Sequence, residues 1–525
     1  MSFALALHAH IPYCKKSGTW PAGEEWLHEA IIESYLPILR TLERLKSESI
    51  PINMNIEFTP ILLEQLADSY MQEKFVIYLE DLLKRAESDV HRFSDSPVLK
   101  QTAEYYLEDY TYFLEYYTGT IKRDVIGAYR KLQDDGLIEI FTSAATHGFL
   151  PLLERDSSIW SQLKIGVDTY KKHFGKQPQG IWLPECAFRP MKDGRAGIDY
   201  WLKKAGIRYF IVNYTGFDQA DLTWKNPGGP GYVSTYEAYK LAGTGVHTFG
   251  RNFNTSKRVW SAKVGYPGNP VYREFHVKDS TSGLRYLAIS EREKSKKNYD
   301  IQLVDEQLEA DARDFSTVVA ECLDDYRNLN QRDGIIVSPY DFELFGHWWH
   351  EGPEWLYHVY KTLAERDDIE VTAIGDYLGK NQGSCSEFIL KPTTWGEGGD
   401  FRVWKNPQHE WIWPYINSSA RDFEDVLASI GEPRNDLEAR VLKQIARELL
   451  LMEGSDWPFL LYTKQALEYA NQRFHWHHQR YNKLIWAAKD FSDAMRLNMQ
   501  DFEEIASIDD CFEDIDLTLF RERRE

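Results

Sequence analysis

The chain has 525 residues, a formal charge of −20 and an apolar fraction of 43%, so it is long enough for two or three domains. The acidic balance argues against nucleic acid or an anionic membrane as a partner, and no run reaches the about 18 consecutive apolar residues of a membrane span. The N-terminus lacks the basic segment of a secretion signal, and five scattered cysteines without a Cys-x-x-Cys pair fit a reducing compartment, so we expect a cytoplasmic protein.

Strand and helix patterns alternate at the start of the chain. Residues 3–8 read as a buried strand, residues 26–46 carry apolar side chains at helical spacing, and residues 52–58 read as a second strand. This order predicts a parallel α/β architecture. Between residues 61 and 135 strand signals stop, and amphipathic, tyrosine-rich helical patterns predict a helical insertion.

Strand patterns then return, separated by helical patterns, at residues 137–141, 180–183, 207–212 and 335–337. The stretch 221–270 reads as mostly loop, with a Gly/Pro-rich segment that carries Tyr232 at its tip. After a Gly/Ser-rich break, a tryptophan-rich loop precedes four helical patterns, at residues 422–430, 437–453, 466–473 and 484–497. These patterns predict a C-terminal helical domain that packs on a parallel α/β barrel.

Two of the strand patterns end abruptly in a carboxylic acid, Glu185 after the fourth and Asp341 after the last. In barrel enzymes the catalytic groups lie where strands end, and two carboxylates there can cleave a glycosidic bond through a covalent sugar–enzyme intermediate. Glu343 shares a face with Asp341 in an extended chain, so spacing leaves both open as the general acid. The alternative for each acid is that it only caps the turn that follows.

Histidines also occur at strand exits. His8 and His10 share one face of the first strand because they are two residues apart, and His147 follows a later strand. Such imidazoles can bind sugar hydroxyls or a divalent metal. His8, His10, Asp341 and His347 around zinc define one alternative, a metal-dependent hydrolase or deacetylase.

Aromatic residues make up 14% of the chain and include 17 tryptophans. Flat rings with polar edges stack on the apolar faces of sugars, although a large core also uses aromatics. Several tryptophans lie in Gly/Pro-rich loops, which a core does not require. His475, His477 and His478 look like a metal cluster, but on a helix they do not converge on one face, so we expect packing and surface roles. Cys186 is expected to be a packed free thiol.

At this point the sequence resembles glycoside hydrolase family 57 and, within it, the α-1,4-glucan branching enzymes. The resemblance runs through the whole chain and is carried by ordered motifs, namely His8-Ala9-His10-Ile11-Pro12, Thr146-His147-Gly148, Trp182-Leu183-Pro184-Glu185-Cys186, the run from Tyr340-Asp341 through Glu343-Leu344-Phe345-Gly346-His347-Trp348-Trp349, and Thr394-Trp395-Gly396-Glu397-Gly398-Gly399. Each motif alone is moderately specific, whereas their joint order is highly specific.

The resemblance implies a distorted (β/α)7 barrel built from residues 1–60 and 136–391. It implies a helical insertion over residues 61–135 and a C-terminal helical domain over residues 392–525. It further implies an enzyme without metal or cofactor that uses an α-1,4-glucan as both donor and acceptor and transfers a cleaved chain to a 6-hydroxyl, with retention of configuration, in the synthesis of glycogen or starch.

The resemblance also implies residue roles. Glu185 is the expected nucleophile and Asp341, rather than Glu343, the expected general acid/base. The substrate-binding residues are then expected to be His8, His10 and His147 in the donor subsite, His347, the groove residues Trp260, Trp395 and Trp404, and Tyr232, or else Tyr236, on a loop that guards the site. An α-amylase or 4-α-glucanotransferase on the same barrel stays an alternative, as does a glucan-binding protein without catalysis.

Overall fold

A computed structural model describes residues 1–217, 233–261, 263–290, 296–489 and 498–523. The strands in these ranges are β1 Ser2–Ala9, β2 Met54–Phe58, β3 Ile138–Phe141, β4 Gly180–Ile181, β5 Tyr209–Val212, β6 Ala238–Leu241, β7 His247–Gly250, β8 Ile335–Asp341, β9 Glu370–Val371 and β10 Ser386–Phe388. The helices are α1 Glu24–Ala30, α2 Leu36–Ser47, α3 Pro60–Ala67, α4 Ser69–Arg92, α5 Pro97–Glu115, α6 Val125–Asp134, α7 Asp156–Phe174, α8 Ile198–Lys204, α9 Phe253–Trp260, α10 Val304–Asn330, α11 Gly352–Ala364, α12 Ile374–Asn381, α13 Ile412–Ile430, α14 Asp436–Met452, α15 Asp456–Thr463, α16 Leu467–Lys489 and α17 Met499–Ile508.

Parallel strands close into a barrel. β1 pairs with β2 and β8, β2 pairs with β3, and β5 pairs with β4 and β7, all in parallel. Two single parallel bridges join these sheets, Thr142 to Ile181 and Arg251 to Val337. The cyclic order is therefore β1-β2-β3-β4-β5-β7-β8, which confirms the expected (β/α)7 barrel. Its distortion arises because the two sheets meet only through single bridges.

The barrel register brings the carboxyl ends of the strands to one rim. His8 lies opposite Asp341 in the β1–β8 pair, and Glu57 lies opposite His8 in the β1–β2 pair. β1 is buried along its whole length, as expected for a central parallel strand covered by helices. Residues that leave β1, β2 and β8 therefore emerge side by side at this rim, where barrel enzymes bind their substrates.

The stretch 221–270 was predicted as mostly loop, and this prediction was wrong in its second half. Residues after the undescribed segment form β6, β7 and α9. β7 is only four residues long and contains a histidine and a glycine, so it gives no apolar alternation strong enough to recognise. Its position matters because Arg251, which follows it, makes the bridge to β8.

The C-terminal helices differ in extent from their sequence patterns. α13 begins ten residues before the predicted start at 422, and the patterns at 466–473 and 484–489 belong to one continuous helix, α16. The remainder of that last pattern, residues 490–497, lies outside the described residues. α13, α14 and α16 share a buried core with barrel residues such as Phe149 and Leu163, so this helical region packs directly on the barrel.

Helices α4 and α5 form a pair joined by a short turn, as expected for the insertion. Asp68 caps the first of them through its side chain, and Tyr106 of the second donates a hydrogen bond to the carbonyl of Arg285. The division of the chain at residues 61, 136 and 392 stays a prediction. Among the described residues, the structure contains no helix with the length and apolarity needed to cross a membrane.

Candidate active site

A deep cleft of about 1410 Å³ opens at the barrel rim that carries the strand ends. Every predicted site residue that the structure describes lines it, namely His8, His10, His147, Glu185, Trp260, Asp341, His347, Trp395 and Trp404. Tyr232 lies outside the described residues. The alternative loop residue, Tyr236, is buried and stacks on Tyr326 with ring centroids 5.3 Å apart, so it does not face the cleft as a guard.

Glu185 is held on a strained turn immediately after β4. Its backbone is left-handed, with φ 60° and ψ 24°. Residues other than glycine rarely adopt this conformation, and those that do are concentrated at functional sites. The Thr394 hydroxyl and the Trp395 amide both donate to the Glu185 carbonyl, at 2.7 and 3.1 Å. The Trp395 indole Nε1–H donates to the carboxylate at 2.7 Å. Backbone and side chain are therefore both fixed by one loop.

Both acids hold their protons more tightly than free carboxyl groups. Burial raises the pKa of Glu185 to about 7, opposed by the Trp395 hydrogen bond and reinforced by the charge of Asp341. Burial also raises the pKa of Asp341 to about 6, opposed by Arg251 and His10. Because each carboxyl lies in a site that disfavours its charge, both can exchange protons near neutral pH.

The structure separates the two acids that sequence spacing could not distinguish. Glu343 accepts hydrogen bonds from the Tyr35 hydroxyl and from the His10 amide, the latter at 3.1 Å, and burial raises its pKa to about 8. No hydrogen bond reaches the Asp341 carboxylate from the part of the chain that the structure describes. Asp341 is therefore free to meet a substrate, whereas Glu343 is engaged in holding the rim together.

Three imidazoles form a stack beside Glu185. The ring of His147 lies 4.0 Å from that of His10 and 5.0 Å from that of His8, which in turn lies 4.8 Å from Trp182. Burial lowers the pKa of both His8 and His147 well below the usual value, so these two rings are neutral at pH 7. Neutral imidazoles present one donor and one acceptor, which suits hydroxyl recognition.

Carboxylates fix both ends of this histidine stack. Glu57, at the end of β2, binds Nδ1 of His8, and Asp456 binds Nε2 of His10 at 3.0 Å. Ser455 lies 2.7 Å from Nδ1 of His147, and its hydroxyl donates to Glu185 at 3.5 Å. Each ring is thus oriented by a second group that its sequence motif does not contain.

Several site residues were missed by the sequence reasoning. Ser455 and Asp456 lie at the start of α15, a short helix of the C-terminal region that the sequence analysis did not predict. Arg251 lies over the Trp395 ring at 5.6 Å and follows the strand that sequence analysis did not recognise. Glu57 lay within a recognised strand, and its polar side chain at a buried strand end was the one signal that could have identified it.

The aromatic walls differ in what they expose. Trp260, at the end of α9, is 43% exposed, and Trp348 is 47% exposed and packs on Phe275. Trp404 is only 1% exposed and stacks on Phe149 at 4.6 Å, so it backs the wall rather than offering a free ring. His347 is held by Glu33, with Nδ1 and the carboxylate 2.5 Å apart.

A metal would find ligands in a different set from the one proposed on sequence. His10, His147 and Asp456 present ligand atoms within 4.8 Å of one another. The zinc alternative instead required His8, Asp341 and His347 beside His10, and among the described residues none of these three belongs to a group of at least three ligand atoms within that distance. The structure therefore does not assemble the ligand set on which the metal-dependent hydrolase was based.

Two further sequence features lie outside this chemistry. Cys186 is buried and burial raises its thiol pKa well above the usual value, as expected for a packed thiol. His477 points into the helical region and binds Glu448 at 2.8 Å. His475 and His478 lie on the outer side of the same helix, so the three histidines do not converge.

Comparison with known proteins agrees with this geometry. The family model for glycosyl hydrolase family 57 matches residues 4–384, and that for the C-terminal part of 1,4-alpha-glucan branching enzymes matches residues 417–520. A 1,4-alpha-glucan branching enzyme of Thermococcus kodakarensis is 40% identical over 96% of this chain and 76% of its own length.

Solved structures show the same relationship. The branching enzyme from Pyrococcus horikoshii superposes with a TM-score of 0.92 at 38% identity, over 100% of this chain and 97% of its own. The α-amylase AmyC from Thermotoga maritima superposes with a TM-score of 0.86 at 28% identity, over 100% and 99% of the two chains. The chain therefore belongs to glycosyl hydrolase family 57 and, within it, to the 1,4-α-glucan branching enzymes.

Proposed function

We propose that this enzyme cleaves α-1,4 links in a glucan and transfers the released chain to a 6-hydroxyl of a second glucan, with Glu185 as nucleophile and Asp341 as general acid/base. The observation that carries this proposal is the pairing of two half-buried acids in one cleft. One of them is held by the Trp395 indole, and the other is unengaged by the described residues.

The proposed reaction has two displacements. Glu185 attacks the anomeric carbon while Asp341 donates its proton to the leaving glycosidic oxygen, which gives a β-linked glycosyl–enzyme. Asp341, now a carboxylate, then takes the proton of an incoming 6-hydroxyl as that oxygen displaces Glu185. Two inversions restore the α configuration, now in a branch, and this course requires carboxyl groups about 5–5.5 Å apart.

The surrounding residues support positioning of a neutral sugar. His147 lies beside Glu185 with its Nδ1 fixed by Ser455, and its Nε2 has no partner among the described residues, so that nitrogen is left for a substrate hydroxyl. His10 has both ring nitrogens engaged, by Thr59 and Asp456, so in the donor subsite it serves as a fixed wall beside Glu185. We assign His8 to the support of that stack and to the same donor subsite. A substrate held within a fraction of an ångström gains much of its reactivity from orientation alone.

Water competes with the acceptor at the second displacement. Hydrolysis is the second candidate activity, because the superposing structure from Thermotoga maritima is named an α-amylase. Transfer is favoured where the acceptor is held and water is excluded. The exposed rings of Trp260 and Trp348 along the cleft provide such acceptor contacts.

The test of the proposed function is a product analysis on amylose. After incubation, the product is debranched, and new α-1,6 links are counted against new reducing ends. We expect links to exceed reducing ends. Reducing ends without new α-1,6 links would instead identify a hydrolase. If neither reducing ends nor α-1,6 links formed, both proposed activities would be wrong.

A change at Tyr232 is expected to alter the balance of products. Tyr232→Ala removes the one ring on the Gly/Pro-rich loop that could cover an acceptor and keep water out, and loop closure is a common gate. We expect branching to fall far more than total bond cleavage. The ratio of α-1,6 links to reducing ends measures this, with Tyr236→Phe as the control. An unchanged ratio would remove Tyr232 from the mechanism.

The dependence of kcat/KM on pH follows from the two acids. The reactive form has Glu185 ionised and Asp341 protonated. The reactive form would be favoured if the pKa of Glu185 lay below that of Asp341. The pKa of Glu185 is instead about 7 and that of Asp341 about 6, so the order is reversed by one unit. We expect a flat maximum between pH 6 and 7, in which about a twentieth of the enzyme is in the reactive form.

Trp395→Phe provides the control for this pH profile. It removes the indole donor that favours the Glu185 carboxylate, so the pKa of Glu185 should rise. Between the two pKa values, the gain of Glu185 carboxylate with rising pH offsets the loss of the Asp341 proton. Above the pKa of Glu185 that gain ends, so the pKa of Glu185 sets where activity begins to fall. The alkaline limb should therefore move to higher pH and the maximum should fall, whereas movement of the acidic limb would contradict this ordering of the two acids.

We further propose that the product is a glycogen-like polymer made in the cytoplasm. All five cysteines are free, and four of them are buried, as suits a reducing compartment.

A further inference from the structure

One face of α16 runs from the cleft to the outer surface of the helical region. Glu468 and Gln472 line the cleft near the start of this helix. With 3.6 residues per turn, His475, Asn482 and Trp486 follow Glu468 on the same face, because they lie 7, 14 and 18 positions further along. The face extends about 27 Å from Glu468 to Trp486.

Aromatic rings lie along this face and along the neighbouring α13. Trp411 stacks on His475 with centroids 5.3 Å apart and an angle of 12° between the rings. Tyr415 contacts His478 edge-on at 4.7 Å. Tyr415 is 42% exposed and Trp486, near the end of the helix, is 70% exposed. Large exposed rings in a row are unusual for a surface that meets only water.

The polar groups beside these rings carry little net charge. Lys489 pairs with Asp422 at 3.2 Å, and the Asn482 amide lies 3.1 Å from the imidazole of His478. Nucleic acid or an anionic lipid would need a cluster of cations, which a chain of charge −20 does not offer here. Rings edged by amide and imidazole groups suit a neutral polyhydroxylated polymer, whose sugar faces are apolar and whose rim bears hydroxyls.

We propose that this surface, the α16 track (Trp411, Tyr415, His475, Asn482 and Trp486), binds α-glucan outside the catalytic cleft. The identity of the polymer rests on the proposed function, and the position rests on continuity with the cleft through Glu468 and Gln472. A long chain held on the track raises the effective concentration of its segments at the cleft, since the second contact becomes intramolecular.

The test uses electrophoresis of the whole enzyme through gels that contain amylopectin, where binding slows migration. The double variant Tyr415→Ala/Trp486→Ala removes the two exposed rings. We expect its apparent affinity for the polymer to fall about tenfold, and its KM for amylose to rise while kcat/KM on a short maltooligosaccharide is unchanged. The single variant Trp486→Phe keeps a ring at this position and should retain most of the polymer binding.

Trp476→Ala is the matched control. Trp476 lies on the same helix but on another side, where its ring is partly buried beside Arg480 at 5.9 Å. It should leave polymer binding unchanged, and thermal melting of each variant verifies that the fold is intact.

Unchanged migration of the double variant would overturn the proposal. So would a loss of self-association without a loss of polymer binding, since the rings would then form a contact between two copies of the chain. Migration is compared in the Glu185→Gln background, in which the polymer in the gel is not turned over. Binding to the track is therefore measured separately from the proposed catalytic function. If wild-type enzyme forms no α-1,6 links but the track variants still lose polymer binding, the proposed function fails and the track stands.

Discussion

Replacing Glu185 with glutamine is expected to lower kcat on amylose by on the order of 10⁴-fold. The amide has nearly the shape of the carboxylate but cannot attack the anomeric carbon, so both transfer and hydrolysis should stop. The glutamine carbonyl can still accept the hydrogen bond from Trp395, which preserves the turn. Reducing ends and α-1,6 links should disappear together, and substantial turnover of either kind would place the nucleophile elsewhere.

The same substitution should stabilise the fold at neutral pH. Burial raises the pKa of Glu185 from 4.5 to about 7, so the folded state holds its proton more tightly than the unfolded chain does. Stability contributed by this group is therefore present below pH 4.5 and lost as pH rises to about 7. Glutamine avoids that loss, worth about 3 kcal/mol at pH 7 as an order of magnitude.

Thermal melting at two pH values checks this effect. The Glu185→Gln variant should melt at a higher temperature than the wild type at pH 7 and at a similar temperature near pH 4.5. An equal difference at both pH values would show that packing, rather than charge, distinguishes the two side chains.

The acid pair was accessible from sequence because its signal is local. A strand pattern that ends in a carboxylate predicts the position of Glu185 or Asp341 at the barrel rim without knowledge of the rest of the fold. The histidine pair at the end of β1 follows from the same reasoning, since alternation along a strand fixes its face. The structure places all four residues in one cleft.

The groups that orient these residues were not accessible in this way. Ser455 and Asp456 reach the cleft only because the helical region packs on the barrel, and no periodicity encodes that contact. Arg251 depends on β7, a strand too short to recognise. Trp404 shows the opposite case, because its position in the cleft wall was expected but its burial against Phe149 was not. Long-range packing determines all of these.

The strained backbone at the site also escaped the sequence reasoning. His147, Glu185 and Cys186 all have positive φ, at 57°, 60° and 49°. Local propensity favours glycine or asparagine at such positions, so the residues present conflict with their own backbone. Conflicts of this kind persist where the surrounding structure holds the chain in place, and here Thr394 and Trp395 do so.

Asparagine at position 341 is expected to lower kcat on amylose by about 10³-fold, because it removes the proton that the leaving oxygen requires. The loss should depend on the leaving group. An α-glucosyl substrate with a good leaving group, such as fluoride, needs no proton in the first displacement, so the variant should form its glycosyl–enzyme rapidly. That intermediate should then accumulate, since no carboxylate remains to activate the acceptor hydroxyl.

Glu343→Gln is the matched comparison, because it makes the same chemical change at the acid two positions away. The Glu343 carboxyl is engaged by Tyr35 and by the His10 amide, and a glutamine carbonyl can still accept the latter bond. We expect its activity to stay within about tenfold of the wild type for every leaving group, since neither displacement draws a proton from it. If Glu343→Gln instead showed the dependence on leaving group and Asp341→Asn did not, the general acid would be Glu343, and the free carboxylate at the end of β8 would need another explanation.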